Sequence, residues 1–258
     1  MPAACPAAII KPKRLPSGGV RRINKADQVD IAKFTHNNIA VFCAMLAGAL
    51  ALSAVPVVHV PFEWMETFFH EISHGIAAVV TGGGIERVEL NLDGSGLCTF
   101  HGGSEIVATF AGYAGAIIWG ALIYLLADDV SARSADRIAA LMTGMIIVTA
   151  IFWARDPVTW GVLTVIAVPF LIIFRTKESL IEKFFMQFTG LYVLSSAIKS
   201  PMYMLLLGGS ERSDGKALQK MLLLPEAFWA AVWLGLGLFT VFCLLRRHIR
   251  HITQRGRR

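Results

Sequence analysis

The sequence predicts an all-α polytopic membrane protein, with six or seven apolar helices and a short β-hairpin after the helix that carries a candidate metal site. Three observations support that class. Of the 258 residues, 55% are hydrophobic, the mean hydropathy is +0.59, and the apolar residues fall in long blocks rather than at amphipathic intervals. The net charge of +6 is gathered at the ends: residues 1–33 hold seven Lys or Arg against two Asp, and residues 246–258 hold six Arg and no acid. One stretch alone, near residue 90, alternates apolar and polar residues with the period of two that marks strands.

Taken in order, residues 1–35 are rich in Pro, Lys and Arg and read as a disordered basic tail. The membrane-embedded domain is expected over 36–245, and a second basic tail over 246–258. Ile39 to His59 is the first expected span. Pro61 suits the first turn of the next helix, Glu63 and Glu66 lie near its positive end, and Gly82-Gly83-Gly84 stops it. At about 1.5 Å per residue this apolar run reaches roughly 31 Å, enough to cross a bilayer. Val88, Leu90 and Leu92 then alternate with Glu89 and Asn91, Asp93-Gly94 supplies a turn, and Leu97 to His101 can run back as a hairpin. Its unpaired edge could receive an unwound peptide as an added strand; equally, the hairpin could plug a cavity.

Glu105 to Ala127 is a further span, with Gly112, Gly115 and Gly120 as small residues at helix contacts. A charged loop, Asp128 to Arg137, leads to the apolar runs Ile138 to Trp153 and Val158 to Phe174, separated by Arg155-Asp156-Pro157. Phe184 to Leu207 and Pro225 to Leu245 are the last two, with a polar loop between them. Basic flanks accumulate on the cytoplasmic side, so both tails should lie there. Seven crossings would separate the tails, so one segment is expected to be re-entrant, the 138–153 and 158–174 pair first.

The motif His70-Glu71-Ile72-Ser73-His74 sits inside the second apolar run. Positions i and i+4 share a helix face, so His70 and His74 can offer two imidazole nitrogens to one metal, with Glu71 about 100° around and able to reach a water polarised by it. Zinc needs a third protein ligand and an open position. An ionisable side chain at the centre of a spanning helix costs roughly 2.5–3.5 kcal/mol and marks a functional site by default. Asp214, in Ser213-Asp214-Gly215 after an apolar helix, is the candidate third ligand, because a carboxylate oxygen is an ordinary zinc ligand and the adjacent glycine allows a sharp turn. Two acids compete with it. Asp93 also precedes a glycine, although the hairpin turn accounts for it; Glu66 lies one turn before His70 on the same face and suits a supporting role.

With those residues in view, the sequence resembles the site-2 protease-like intramembrane zinc metallopeptidases, in particular their compact bacterial branch without a PDZ domain. The likeness rests on His-Glu-Ile-Ser-His-Gly at 70–75, the glycines and hairpin at 82–101, Ala-Gly-Tyr-Ala-Gly at 111–115 and Ser-Asp-Gly at 213–215, and it spans roughly residues 60 to 245. The resemblance implies one zinc ion held by His70, His74 and Asp214, with Glu71 as general base. It also implies substrates that are membrane proteins cut in or near a transmembrane helix, in the inner membrane of a bacterium. Two departures stand out: Ala116 occupies a position where many members have proline, and the Asn-Pro run that often precedes the aspartate is missing.

Other function classes fit less well. A zinc transporter or sensor would use the His pair as a passage site and need no general base; a catalytically inactive scaffold would have no use for the intact motif. Nucleic acid is not an expected partner, because the basic tails flank hydrophobic spans and lack aromatic interleaving. Cys5, Cys43, Cys98 and Cys243 form no pair at metal spacing and imply no disulfide framework.

Overall fold

The computed structural model describes residues 39–128, 132–176 and 179–255. Eight helices and one hairpin appear among them. In chain order they are α1 (Ile39–Leu52), α2 (Val60–Val80), β1 (Gly84–Leu90), β2 (Gly96–His101), α3 (Glu105–Asp128), α4 (Ala132–Phe152), α5 (Pro157–Thr176), α6 (Ser179–Leu207), α7 (Asp214–Leu222) and α8 (Glu226–Arg255). The expected tail over 1–35 lies outside the described residues.

Among the described residues, three helical stretches are long and apolar enough to cross a membrane: Glu105–Asp128, Ile181–Leu207 and Glu226–Ile249. Ile39–Leu52, Arg137–Phe152 and Pro157–Ile172 are apolar but shorter. The first of these was expected to reach His59 and stops at Leu52. The reason is local: Pro56 has no N–H to continue the ladder and biases Val55 away from the helical region, and the Ser53 hydroxyl donates to the Leu50 carbonyl.

α2, the motif helix, is not among the three. Glu63, Glu66 and Glu71 lower its hydropathy, and from Met65 to Gly75 every residue except His70 is buried. A helix enclosed on all sides needs no lipid-facing stripe and can carry polar side chains toward its neighbours. Pro61 sits in its first turn, as the sequence predicts, and Gly82, at φ 96°, follows its end.

The hairpin folds back antiparallel along α2. Val88 pairs with Cys98, Glu89 with Leu97 and Leu90 with Gly96, with an irregularity between Ile85 and Arg87. Val88 and Leu90 are fully buried, whereas Leu92, expected to continue the alternation, is 66% exposed because the turn begins there. The turn is closed by Asn91 N–H donating to the Ser95 carbonyl at 2.8 Å. Thr67 Oγ1 donates to the Gly94 carbonyl at 2.7 Å, which fixes the hairpin tip beside the first half of α2. On the other edge, Val88 N–H donates to the Trp153 carbonyl at 3.1 Å and Leu90 N–H to Thr159 Oγ1 at 3.0 Å, so the α4–α5 corner covers β1.

α3 and α6 form the central crossing. A Cβ at Gly120 would lie 2.8 Å from the Gly190 carbonyl oxygen, and one at Gly190 would lie 2.7 Å from the Gly120 carbonyl oxygen. Two backbones meet there with no side chain between them. Around this crossing the core divides into one cluster under α2, α4 and α5 (Phe68, Met142, Ile166, Phe170), one between α1, α3, α6 and α8 (Phe42, Ile117, Leu194), and one under α7 (Met204, Leu218, Trp233).

The segment 208–220 was expected to be a polar loop, and nine residues from Asp214 form α7 instead. Ser213 caps it, its Oγ accepting from Lys216 N–H at 3.3 Å, and Lys220 stands in its last turn. Leu218 is fully buried against the Met204 and Trp233 cluster.

Candidate metal centre

His70 and His74 face the same way from α2, one turn apart, with ring centroids 4.7 Å from each other. Asp214, the first residue of α7, meets them from across the fold. Its Oδ2 lies 3.0 Å from His70 Nε2 and 3.5 Å from His74 Nε2. One donor atom from each of the three residues lies within 4.8 Å of the others, a group that could hold a metal ion.

The hydrogen bonding around the cluster fits a cation. His74 Nδ1 is 2.8 Å from the Ala108 carbonyl oxygen, which can only accept, so Nδ1 carries a proton and Nε2 is the nitrogen turned to the cluster. Nε2 faces Asp214 Oδ2, whose buried oxygen lies 3.0 Å from His70 Nε2 and 3.5 Å from His74 Nε2. A carboxylate oxygen this close to two imidazole nitrogens calls for positive charge between them, which a proton on an imidazole or a metal ion supplies. The spacing also suits zinc. Tetrahedral bonds of roughly 2.0–2.2 Å place ligand atoms about 3.4 Å apart, and the observed 3.0 and 3.5 Å bracket that figure.

The surroundings are built to let this happen in a crowded interior. A Cβ at Gly112 of α3 would lie 2.5 Å from His74 Cε1 and 2.7 Å from His70 Cε1, so the glycine is what allows α3 to cover both rings. Gly115 passes equally close to the side chain of Ser73, whose hydroxyl donates to the Phe69 carbonyl. Tyr113 packs edge-on against His70 with centroids 4.5 Å apart. The glycines of the 111–115 stretch were expected to serve helix packing, and Gly112 packs against the His pair itself while Gly115 packs against Ser73.

Glu71 is buried and turned toward the hairpin. The Cys98 backbone N–H faces its carboxylate, and a Cβ at Gly96 would lie 2.8 Å from Glu71 Oε1. Because Val88 N–H points to Trp153, the Val88–Cys98 pair is one in which backbone groups face away from the partner strand. The outward groups of β2 at Gly96 and Cys98 therefore face the site.

Two cavities reach it. The larger, about 580 Å³, touches His70, Glu71, His74 and Asp214 and is walled by β2 on one side and by the end of α6 with the loop after it on the other. A smaller one of about 200 Å³ reaches His70 and Glu71 from the opposite side, past Glu63, Glu66 and Ser196. Of the competing acids, Glu66 lines that second cavity and lies outside the three-residue group. Asp93 is exposed in the hairpin turn, where Oδ1 accepts from the Ser95 hydroxyl at 2.7 Å and from its N–H at 3.0 Å. Those bonds hold its carboxyl below the usual carboxylate range.

Fold and site together define a class: a helical membrane protein with an interior cluster able to hold a metal ion next to a buried carboxylate. Residues 41–245 match the Peptidase M50B-like family, and the chain belongs to that family. Comparison with curated proteins and with solved structures gave no match.

Proposed function

We infer that the chain is an intramembrane zinc metallopeptidase that hydrolyses peptide bonds in or near transmembrane helices of other membrane proteins. The observation that supports this most is the meeting of His70, His74 and Asp214 beside Glu71 at the wall of a cavity. His70 Nε2, His74 Nε2 and an Asp214 oxygen would hold the metal. A zinc ion there would supply a Lewis acid that lowers the pKa of a water from about 15.7 to roughly 7.

Glu71 is the general base in this reading. Its carboxylate takes the proton of the attacking water and returns it to the leaving amine. The Cys98 N–H faces this carboxylate at the cavity wall. A helical substrate must unwind before attack, since its carbonyls are otherwise engaged in i to i−4 bonds. The outward backbone groups of β2 other than the Cys98 N–H, which faces Glu71, give the unwound segment a strand to pair with, and main-chain pairing is indifferent to sequence. With a peptide in the larger cavity, the smaller one keeps water beside Glu71. By the charge rule both basic tails are cytoplasmic, which requires an even number of crossings in the bacterial inner membrane.

Glu71→Gln tests the assignment, because a passage site for zinc needs ligands and no base. The variant should keep its zinc while cleavage of a reporter transmembrane helix in liposomes falls by about 10²–10⁴-fold. Undiminished cleavage would defeat the protease reading.

A further inference from the structure

The loop that presents Asp214 is fastened by a side chain outside the metal cluster. α6 ends at Leu207, Gly208 turns the chain at φ 77°, and Ser213 caps α7 with extended backbone, φ −69° and ψ 147°. Opposite stands Glu226, the first residue of α8. Its Oε1 accepts from the Ser213 hydroxyl, and its Oε2 accepts from Gly209 N–H at 3.3 Å. One carboxylate thus holds both ends of the loop. Its own backbone is held in turn, with Glu226 N–H donating to Gln219 Oε1 of α7 at 3.0 Å.

The fit around Glu226 is close. A Cβ at Gly215 would lie 2.8 Å from Glu226 Cγ and 2.7 Å from Met204 Sδ, and one at Gly209 would collide with Glu226 Oε1. Glycine on either side of the loop is what lets the carboxylate reach in. The Ser213 hydroxyl has one proton. Given to Glu226, it turns the oxygen's lone pairs toward Lys216 N–H, so the carboxylate also orients the cap of the helix on which Asp214 is the first residue. Two other contacts restrain the loop. Ser213 N–H donates to the Ser210 carbonyl at 3.0 Å, a local turn. Lys216 pairs with Glu211, whose side chain is 83% exposed, and such a surface pair contributes little.

We propose that Glu226 is a positioning residue for the metal centre: through Ser213 and Gly209 it aims the Asp214 carboxylate at His70 and His74, and it touches neither the metal nor the substrate. This rests on the reading of the cluster as a zinc site. Removing it lets the loop and the first turn of α7 shift, and zinc affinity falls while Glu71 and its hairpin contacts stay in place. Loss of an outer partner of this kind typically costs 10–100-fold in metal affinity.

The test measures zinc affinity by chelator competition on the full chain in detergent or nanodiscs, alongside reporter cleavage at limiting and at saturating zinc. Variants are Glu226→Ala, Glu226→Gln and Ser213→Ala, with His74→Ala and Glu71→Gln as references. Glu226→Ala is expected to weaken zinc binding about 10–100-fold, with cleavage returning toward wild type as zinc is raised. Glu226→Gln, which keeps the size and one acceptor oxygen, should lose less, and it carries the test if the alanine variant fails to fold. Ser213→Ala combined with Glu226→Ala should lose less than the two single losses added together, because the Ser213–Glu226 contact is common to both. Wild-type affinity in both Glu226 variants would overturn the proposal while leaving the zinc reading intact. Unchanged zinc binding in His74→Ala would instead overturn the zinc reading, and the positioning role with it.

Discussion

Asp214 and Asp93 each precede a glycine, and sequence spacing alone does not separate them. Their surroundings do. Asp93 Oδ1 is engaged by Ser95 at an exposed turn, whereas Asp214 Oδ2 is buried and next to two imidazole nitrogens. Asp214→Ala is therefore expected to abolish stoichiometric zinc, and Asp93→Ala to leave zinc content unchanged while loosening only the exposed turn. Metal analysis of the purified variants decides it; zinc loss from Asp93→Ala with none from Asp214→Ala would reverse the assignment. The His pair and Glu71 were legible in the sequence because helical period alone puts positions 70 and 74 on one face. Glu226 was not, because its contact with Ser213 joins residues thirteen apart across a loop, and no periodicity links them. A carboxylate at the first position of an apolar helix reads as an ordinary helix start, so nothing in the sequence marked it.

At the level of the elements, α3 illustrates how a small residue becomes functional by what lies opposite it. Gly112 faces the two imidazoles with no space for a methyl group, while Gly144 of α4 has nothing within 4 Å of an added Cβ. Gly112→Ala should force the rings or α3 aside and weaken zinc affinity, by about 10-fold or more if it disturbs the centre as an outer-partner loss does. Gly144→Ala should leave affinity unchanged and gain up to about 1 kcal/mol of helix stability. Chelator competition and thermal unfolding, run side by side, measure both; equal zinc affinity in the two variants would refute the close approach. The long apolar helices and the hairpin were readable because their periods of 3.6 and 2 run over many residues. α7 escaped because nine residues with only Leu218 and Met221 as apolar anchors look like loop until Trp233, from α8, is seen beneath them. The end of α1 was misjudged because its terminating signal, Pro56, lies within a still-apolar stretch.

The molecule as a whole is held at two levels, and the second is remote from the chemistry. Asp128, 1% exposed at the end of α3, accepts from Gln187 Nε2 of α6 at 3.1 Å and lies 3.6 Å from Arg247 of α8 and 3.9 Å from Lys183 of α6. This cluster ties together the three helices that are long enough to cross a membrane. Removing Asp128 leaves the buried Lys183 ammonium without this partner, at a cost of up to about 3–5 kcal/mol, whereas Arg247 is 39% exposed and stays solvated. Sixteen residues of helix separate Asp128 from Gly112, about 24 Å at 1.5 Å per residue, so the metal centre should not sense the loss while the fold persists. Asp128→Ala is accordingly expected to lower the unfolding temperature in detergent markedly while zinc affinity of the folded protein stays at the wild-type value. Asp214→Ala should show the opposite pattern in the metal-free state, with zinc affinity lost and unfolding changed little. If Asp128→Ala reduced zinc affinity as far as Asp214→Ala does, the two ends of α3 would be coupled, and the metal cluster could not be regarded as a locally built site. A clean separation would mean that the scaffold is set by charge pairing at one end of the bundle, and the chemistry by the packing of Gly112, Ser213 and Glu226 around three donors at the other.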